Sequence, residues 1–153
     1  MSAQVTLHAS CVSVGEAGIL IRGPSGAGKS TLARELVDEA GRRGQFARLV
    51  CDDRVRLENR GGRLVATAVN EILGKIEARG LGILDMPYEK AAVIRLVVDG
   101  LVEPSGRFPD EGESRATICG VHLPRIATRV GPGVAALVLL QLGNLRGVKM
   151  AEL

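Results

Sequence analysis

Apolar and polar residues alternate from Val5 to Ser13, with Val5, Leu7, Ala9 and Cys11 on one side and Thr6, His8 and Ser10 on the other. That period of two predicts a single strand. Gly15-Glu16-Ala17-Gly18 is a turn, and Ile19 to Arg22 reads as the next strand, so the two form a hairpin. The period then changes. Leu32, Leu36 and Val37 recur at helical spacing, which predicts a helix from Ser30 to Ala40, closed by Gly41 and Gly44 with Arg42 and Arg43 at its negative pole. Phe46 to Cys51 is a short apolar strand that stops at Asp52-Asp53.

Farther along, Arg54–Glu58 and Arg63–Ala68 flank Asn59-Arg60-Gly61-Gly62, a hairpin signal. Ala92 to Val98 is a buried strand. Gly100 to Thr117 is polar and punctuated by Pro and Gly, and reads as a loop. Thr117–Leu123 and Arg125–Val130 are further strands separated by Pro124, and Gly133 to Gly147 is the closing helix. Residues 1–153 are expected to form one domain. One strand-loop-helix unit among several hairpins implies the α/β class with a mixed parallel/antiparallel sheet.

Composition narrows the function. Net charge is only +3, and one Tyr, two Phe and no Trp leave no stacking platforms, which argues against nucleic-acid binding. The apolar run Val134–Leu140 is too short to span a bilayer, so no membrane association is expected. Cys11, Cys51 and Cys119 are odd in number and lack metal-site spacing; they read as buried thiols of a cytoplasmic protein.

The chemistry is concentrated in residues 23–30, Gly-Pro-Ser-Gly-Ala-Gly-Lys-Ser, which fit the phosphate-binding loop (P-loop) pattern at every fixed position. Gly23, Pro24, Ser25, Gly26, Ala27 and Gly28 would wrap a triphosphate with backbone N–H groups, and Lys29, Ser30 and Thr31 would open the helix at its positive pole. Lys29 would reach the β- and γ-phosphates and Ser30 would ligate magnesium, so the expected ligands are ATP and Mg²⁺. Asp52 and Asp53 follow a strand that opens on the same face; one can serve the proton transfer and the other the metal or scaffold. Glu77-Ala78-Arg79-Gly80-Leu81-Gly82 reads by itself as a charged surface loop.

GPSGAGKS, LVCDD and KIEARGLGIL together resemble the catalytic domain of HPr kinase/phosphorylase, which phosphorylates a serine on HPr, the phosphocarrier of the bacterial sugar phosphotransferase system. The family signature LEIRGLGI is closely followed by residues 76–83. The resemblance implies an HPr kinase/PEP carboxykinase-like architecture, with Asp52 taking the serine proton and Glu77 as a second magnesium ligand; with adjacent side chains pointing apart, Asp53 is then the one expected on the metal side. It implies a catalytic His on the strand before the loop, where His8 sits 15 residues upstream of Gly23. It also implies a catalytic Arg in the polar region, assigned to Arg107 with Arg115 as the alternative. HPr is the implied protein substrate and a homo-oligomer, a hexamer, the implied assembly. The chain resembles the short form without an N-terminal domain. It departs from the family at Ala9, where Gly is usual, and at Val134, where a segment tied to dephosphorylation carries an Arg. A small-molecule kinase and a nucleotide-sensing module with little turnover remain open.

Overall fold

The computed structural model describes residues 3–69, 73–101 and 114–151, the last six by backbone alone. The elements are β1 (Gln4–Leu7), β2 (Ala9–Val14), β3 (Ala17–Arg22), α1 (Lys29–Arg42), β4 (Ala47–Cys51), β5 (Val55–Arg60), β6 (Arg63–Ala68), β7 (Lys75–Ala78), β8 (Gly82–Asp85), β9 (Ala91–Gly100), β10 (Arg115–Ile118), β11 (Val121–Thr128) and α2 (Val134–Ala151). All but β7 and β8 belong to a mixed sheet, in which the main path runs β1-β5-β6-β9-β3-β2-β4.

Strand direction decides where the chemistry can gather. β2 is antiparallel to both β3 and β4, so β3 and β4 point the same way. β9 is parallel to β3, and β11 is parallel to β9. The C-terminal ends of β3, β4, β9 and β11 therefore share one edge of the sheet with the start of β2. His8, the loop after Arg22 and the Asp pair after Cys51 all emerge there.

The two faces of the sheet are packed differently. Ile19, Ile21, Leu96 and Val98 join Leu32, Leu36 and Val37 of α1 and Val138 and Leu142 of α2 in one apolar cluster. Leu20, Val97, Leu57, Leu64 and Ile118 belong to the cluster on the opposite face. β2 and most of β3 are consequently buried throughout.

Local readings that fail do so for identifiable reasons. The alternating stretch at the N-terminus is two strands, not one. The chain bends at His8, where Ala9 N–H donates to Asp53 O at 3.0 Å, and pairing passes from β5 to β3 and β4. Residues 77–82, read as a surface loop, lie within a two-stranded hairpin of residues 75–85 that buries Ile76 and Ala78. Pro124 lies inside β11. Arg125 N–H donates to Ser114 O, so Pro124 falls at the neighbouring pair, where the antiparallel ladder needs no donor. The β5–β6 turn is only Gly61-Gly62, and both take positive φ, as a tight hairpin of this hand requires. Of the expected loop from Gly100, residues 102–113 lie outside the described residues.

Asp99 ties three strands at the functional edge. Its carboxylate accepts Arg22 Nε at 2.7 Å and a second Arg22 nitrogen at 2.8 Å, and pairs with Arg125 of β11. Burial alone would raise the Asp99 carboxyl, but the hydrogen bonds and charges of Arg22 and Arg125 outweigh it and lower the pKa below the ordinary 3.8. A depressed carboxylate stabilises the fold above its unfolded pKa and loses that contribution as pH falls through the folded value. Asp99→Asn should therefore destabilise the chain at neutral pH by about 2–4 kcal/mol, somewhat less than a fully buried pair because both guanidiniums keep some water contact. The difference from wild type should shrink steadily in denaturant titrations as pH falls below the ordinary carboxylate range toward the depressed folded pKa; a gap that does not change with pH would contradict the charge-based account.

Candidate active site

A cleft of about 750 Å³ opens at the convergent edge, lined by the phosphate loop, His8, Ser10, Asp53, Glu77 and Arg79. Of the loop residues, Gly23, Pro24, Ser25, Gly26, Gly28, Lys29, Ser30 and Thr31 face it. Ala27 turns inward and is buried. α1 begins at Lys29 with no side-chain cap and no acidic residue in its first turn. Its first N–H groups thus have no side-chain acceptor of their own, which is the arrangement that receives an anion. Lys29 Nζ donates to Gly23 O at 2.8 Å and Pro24 O at 3.1 Å, so its charge lies over the mouth of the loop.

Gly28 has φ +93°, and a Cβ there would come within 3.0 Å of Val130 Cγ1. The segment after β11 therefore packs directly on the loop, and only glycine allows that approach.

The two aspartates point to different places. Asp52 accepts the Ser30 hydroxyl at 2.8 Å through Oδ1 and 3.0 Å through Oδ2, and Oδ1 also accepts Ser10 at 2.7 Å. Asp53 takes a left-handed conformation, φ 72°, and lines the cleft. His8 Nδ1 lies 4.0 Å from Asp53 Oδ1, and both side chains are largely exposed. Beneath the pair, the Cys51 thiol is pushed up to about 12 by burial, with the Asp52 charge adding to the effect. It stays protonated and takes no part in the chemistry.

Glu77 and Arg79 reach the cleft because β7 packs against α1 and aligns them with its open side. Arg107 lies outside the described residues. The alternative Arg115 is exposed on β10 and does not line the cleft. Sequence reasoning passed over Arg79 and Ser10. The signal for Arg79 was the Glu-Ala-Arg-Gly run itself; Ser10 gave none, because alternation assigned it to the solvent side.

No three His, Cys, Asp or Glu form a metal-holding group among the described residues. Ser30 with one or two carboxylates fits magnesium that arrives with phosphate oxygens completing its shell. Among the described residues no helix is long and apolar enough to cross a membrane.

Comparison with known proteins converges on one family. The family model for the HPr serine kinase C-terminal domain matches residues 1–143. An HPr kinase/phosphorylase of Clostridium beijerinckii is 29% identical over 165 aligned positions, covering 100% of this chain and 53% of that protein. One from Limosilactobacillus reuteri is 33% identical over 148 positions, covering 89% and 44%. The chain thus spans about half the length of these curated relatives. A solved structure, the HPr(Ser) kinase/phosphatase from Coxiella burnetii, matches with a TM-score of 0.75 at 27% identity, covering 96% of this chain and 99% of that one.

Gly28→Ala should weaken binding of a non-hydrolysable ATP analogue at least about tenfold, since left-handed strain of about 1–2 kcal/mol adds to the clash with Val130. Gly26→Ala shares the positive φ but meets nothing within 4 Å, so its loss should be smaller. Calorimetric titration of both variants checks the order.

Proposed function

Because the chain belongs to the HPr serine kinase C-terminal domain family, we propose that it transfers the γ-phosphoryl group of ATP to a serine hydroxyl of the phosphocarrier protein HPr. The observation that carries this reading is the convergence on one cleft of an uncapped helix start, Lys29, Ser30 and a separate His8–Asp53 pair.

In this reading the loop amides and Lys29 hold the phosphates. Ser30 and Glu77 hold the cation side, with Asp52 behind Ser30. Magnesium held there would supply positive charge against the phosphates. The proton acceptor expected at Asp52 moves to Asp53. The Asp52 carboxylate is already engaged by two hydroxyls and does not line the cleft, whereas Asp53 faces it. Asp53 takes the serine proton as the oxygen attacks, and returns it in the reverse direction. His8 steadies the Asp53 carboxylate. Arg79, a second described cation lining the cleft, would offset the charge that spreads during transfer.

Cytoplasmic action and assembly into a homo-oligomer belong to the same reading. Three free thiols support the first. Leu137 and Leu140, 48% and 61% exposed on α2, support the second.

Incubation of HPr with this chain and Mg–ATP should add one phosphate to a serine, read by mass spectrometry. Nucleotide binding without any phosphoprotein would instead favour a sensing module. Asp53→Asn should lower the transfer rate by about 10²–10⁴ while leaving ATP-analogue affinity nearly unchanged. A rate within about twofold of wild type would remove Asp53 from the proton transfer.

A further inference from the structure

Ser10 lies near the start of β2 and is fully buried. A hydroxyl in such a place needs an acceptor. Ser13, also buried on the same strand, has no partner among the described residues. Ser10 is different: it donates to Asp52 Oδ1 at 2.7 Å, the short distance typical of a hydroxyl on a carboxylate. The same oxygen accepts Ser30 at 2.8 Å. Asp52 is thus held from two sides, by a strand and by the first turn of α1.

We infer that Ser10 is a positioning residue for the cation side of the cleft, acting through Asp52 on Ser30. This inference rests on the reading of the cleft as a magnesium–nucleotide site. A Ser hydroxyl has one proton and two lone pairs. With its proton committed to Asp52, Ser30 turns both lone pairs outward, toward a cation. That commitment holds only while Asp52 stays behind Ser30. Without Ser10, the Asp52 carboxylate loses its second anchor and can rotate toward the cleft. There it would compete with Ser30 for the cation instead of orienting it. Ser10 therefore keeps Asp52 an acceptor for Ser30 and not a direct ligand.

Removing a group that orients a metal ligand typically costs 10–100-fold in metal affinity. Ser10 acts through one further residue, which places its effect at about the lower figure, tenfold. The test is calorimetric titration of wild-type and Ser10→Ala chains with a non-hydrolysable ATP analogue, in magnesium and in EDTA. In magnesium the affinity of Ser10→Ala should fall about tenfold, and in EDTA it should match wild type within about twofold. Equal losses in both buffers would reduce Ser10 to a structural residue and overturn the inference. So would no loss in either. A wild-type chain that gains no affinity from magnesium would instead remove the nucleotide-site reading, and this inference with it. Ser10→Cys, close in size and only a weak donor, carries the same comparison if the alanine variant does not fold.

Discussion

The Asp52 carboxylate joins three segments far apart in sequence: β2 through Ser10, α1 through Ser30, and the end of β4 through its own backbone. Charge-assisted hydrogen bonds of this kind are stronger than neutral ones and demanding in geometry. The phosphate loop is continuous with α1, so the joint also sets where the loop lies relative to the strand ends. The next residue inherits a constraint. With Asp52 turned inward and Asp53 O accepting from Ala9 N–H, Asp53 has left-handed backbone, a conformation that costs a non-glycine residue about 1–3 kcal/mol. That strain places its side chain in the cleft beside His8. The inward carboxylate and the outward one are two consequences of a single turn.

A second carboxylate anchors the same edge by different means. Asp99 is held between two guanidiniums, and its charge is satisfied within the protein. It clamps the ends of β3, β9 and β11. Gly100, the next residue, lies against the loop: a Cβ on Gly23 would stand 2.8 Å from Gly100 O. The floor of the loop is therefore tied through Gly100 to this ion-paired cluster. Val130, which follows β11, packs against both Gly28 and Gly100. The loop is framed by packing and by charge, and its glycines answer to that frame as much as to a ligand.

What could be read from the sequence is what is local. The phosphate loop, its lysine, its serine and the start of α1 occupy consecutive residues, and their chemistry survives without any knowledge of the fold. The mixed sheet was legible too, because the hairpin signals and the one strand-loop-helix unit are each local. Ser10 was hidden because alternation assumes a strand with one wet face. β2 lies between β3 and β4 with both faces covered, and only strand order reveals that. Which of Asp52 and Asp53 faces the cleft was hidden as well, since it depends on one positive φ. The β7–β8 hairpin escaped because its strands have four residues each, too few to display a period among glycines. Pro124 misled because a proline is neutral at a pair that needs no donor, and that register belongs to the assembled sheet.

The contrast between the two carboxylates bears on why a cation belongs at one of them. Among the described residues the ion pairs include Asp99 twice and Asp52 not at all. Asp52 is held by neutral hydroxyls, which orient its charge without cancelling it. A cation beside that carboxylate would be favourable. Lys29 is turned to the loop carbonyls and does not supply that cation. Among the described residues no three His, Cys, Asp or Glu gather to hold a metal without help. In the proposed reading the compensating charge comes with oxygen ligands of its own, as magnesium does on a triphosphate. Under that proposal nucleotide and metal would bind as one species, and the uncancelled charge at Asp52 would make the pair preferable to nucleotide alone.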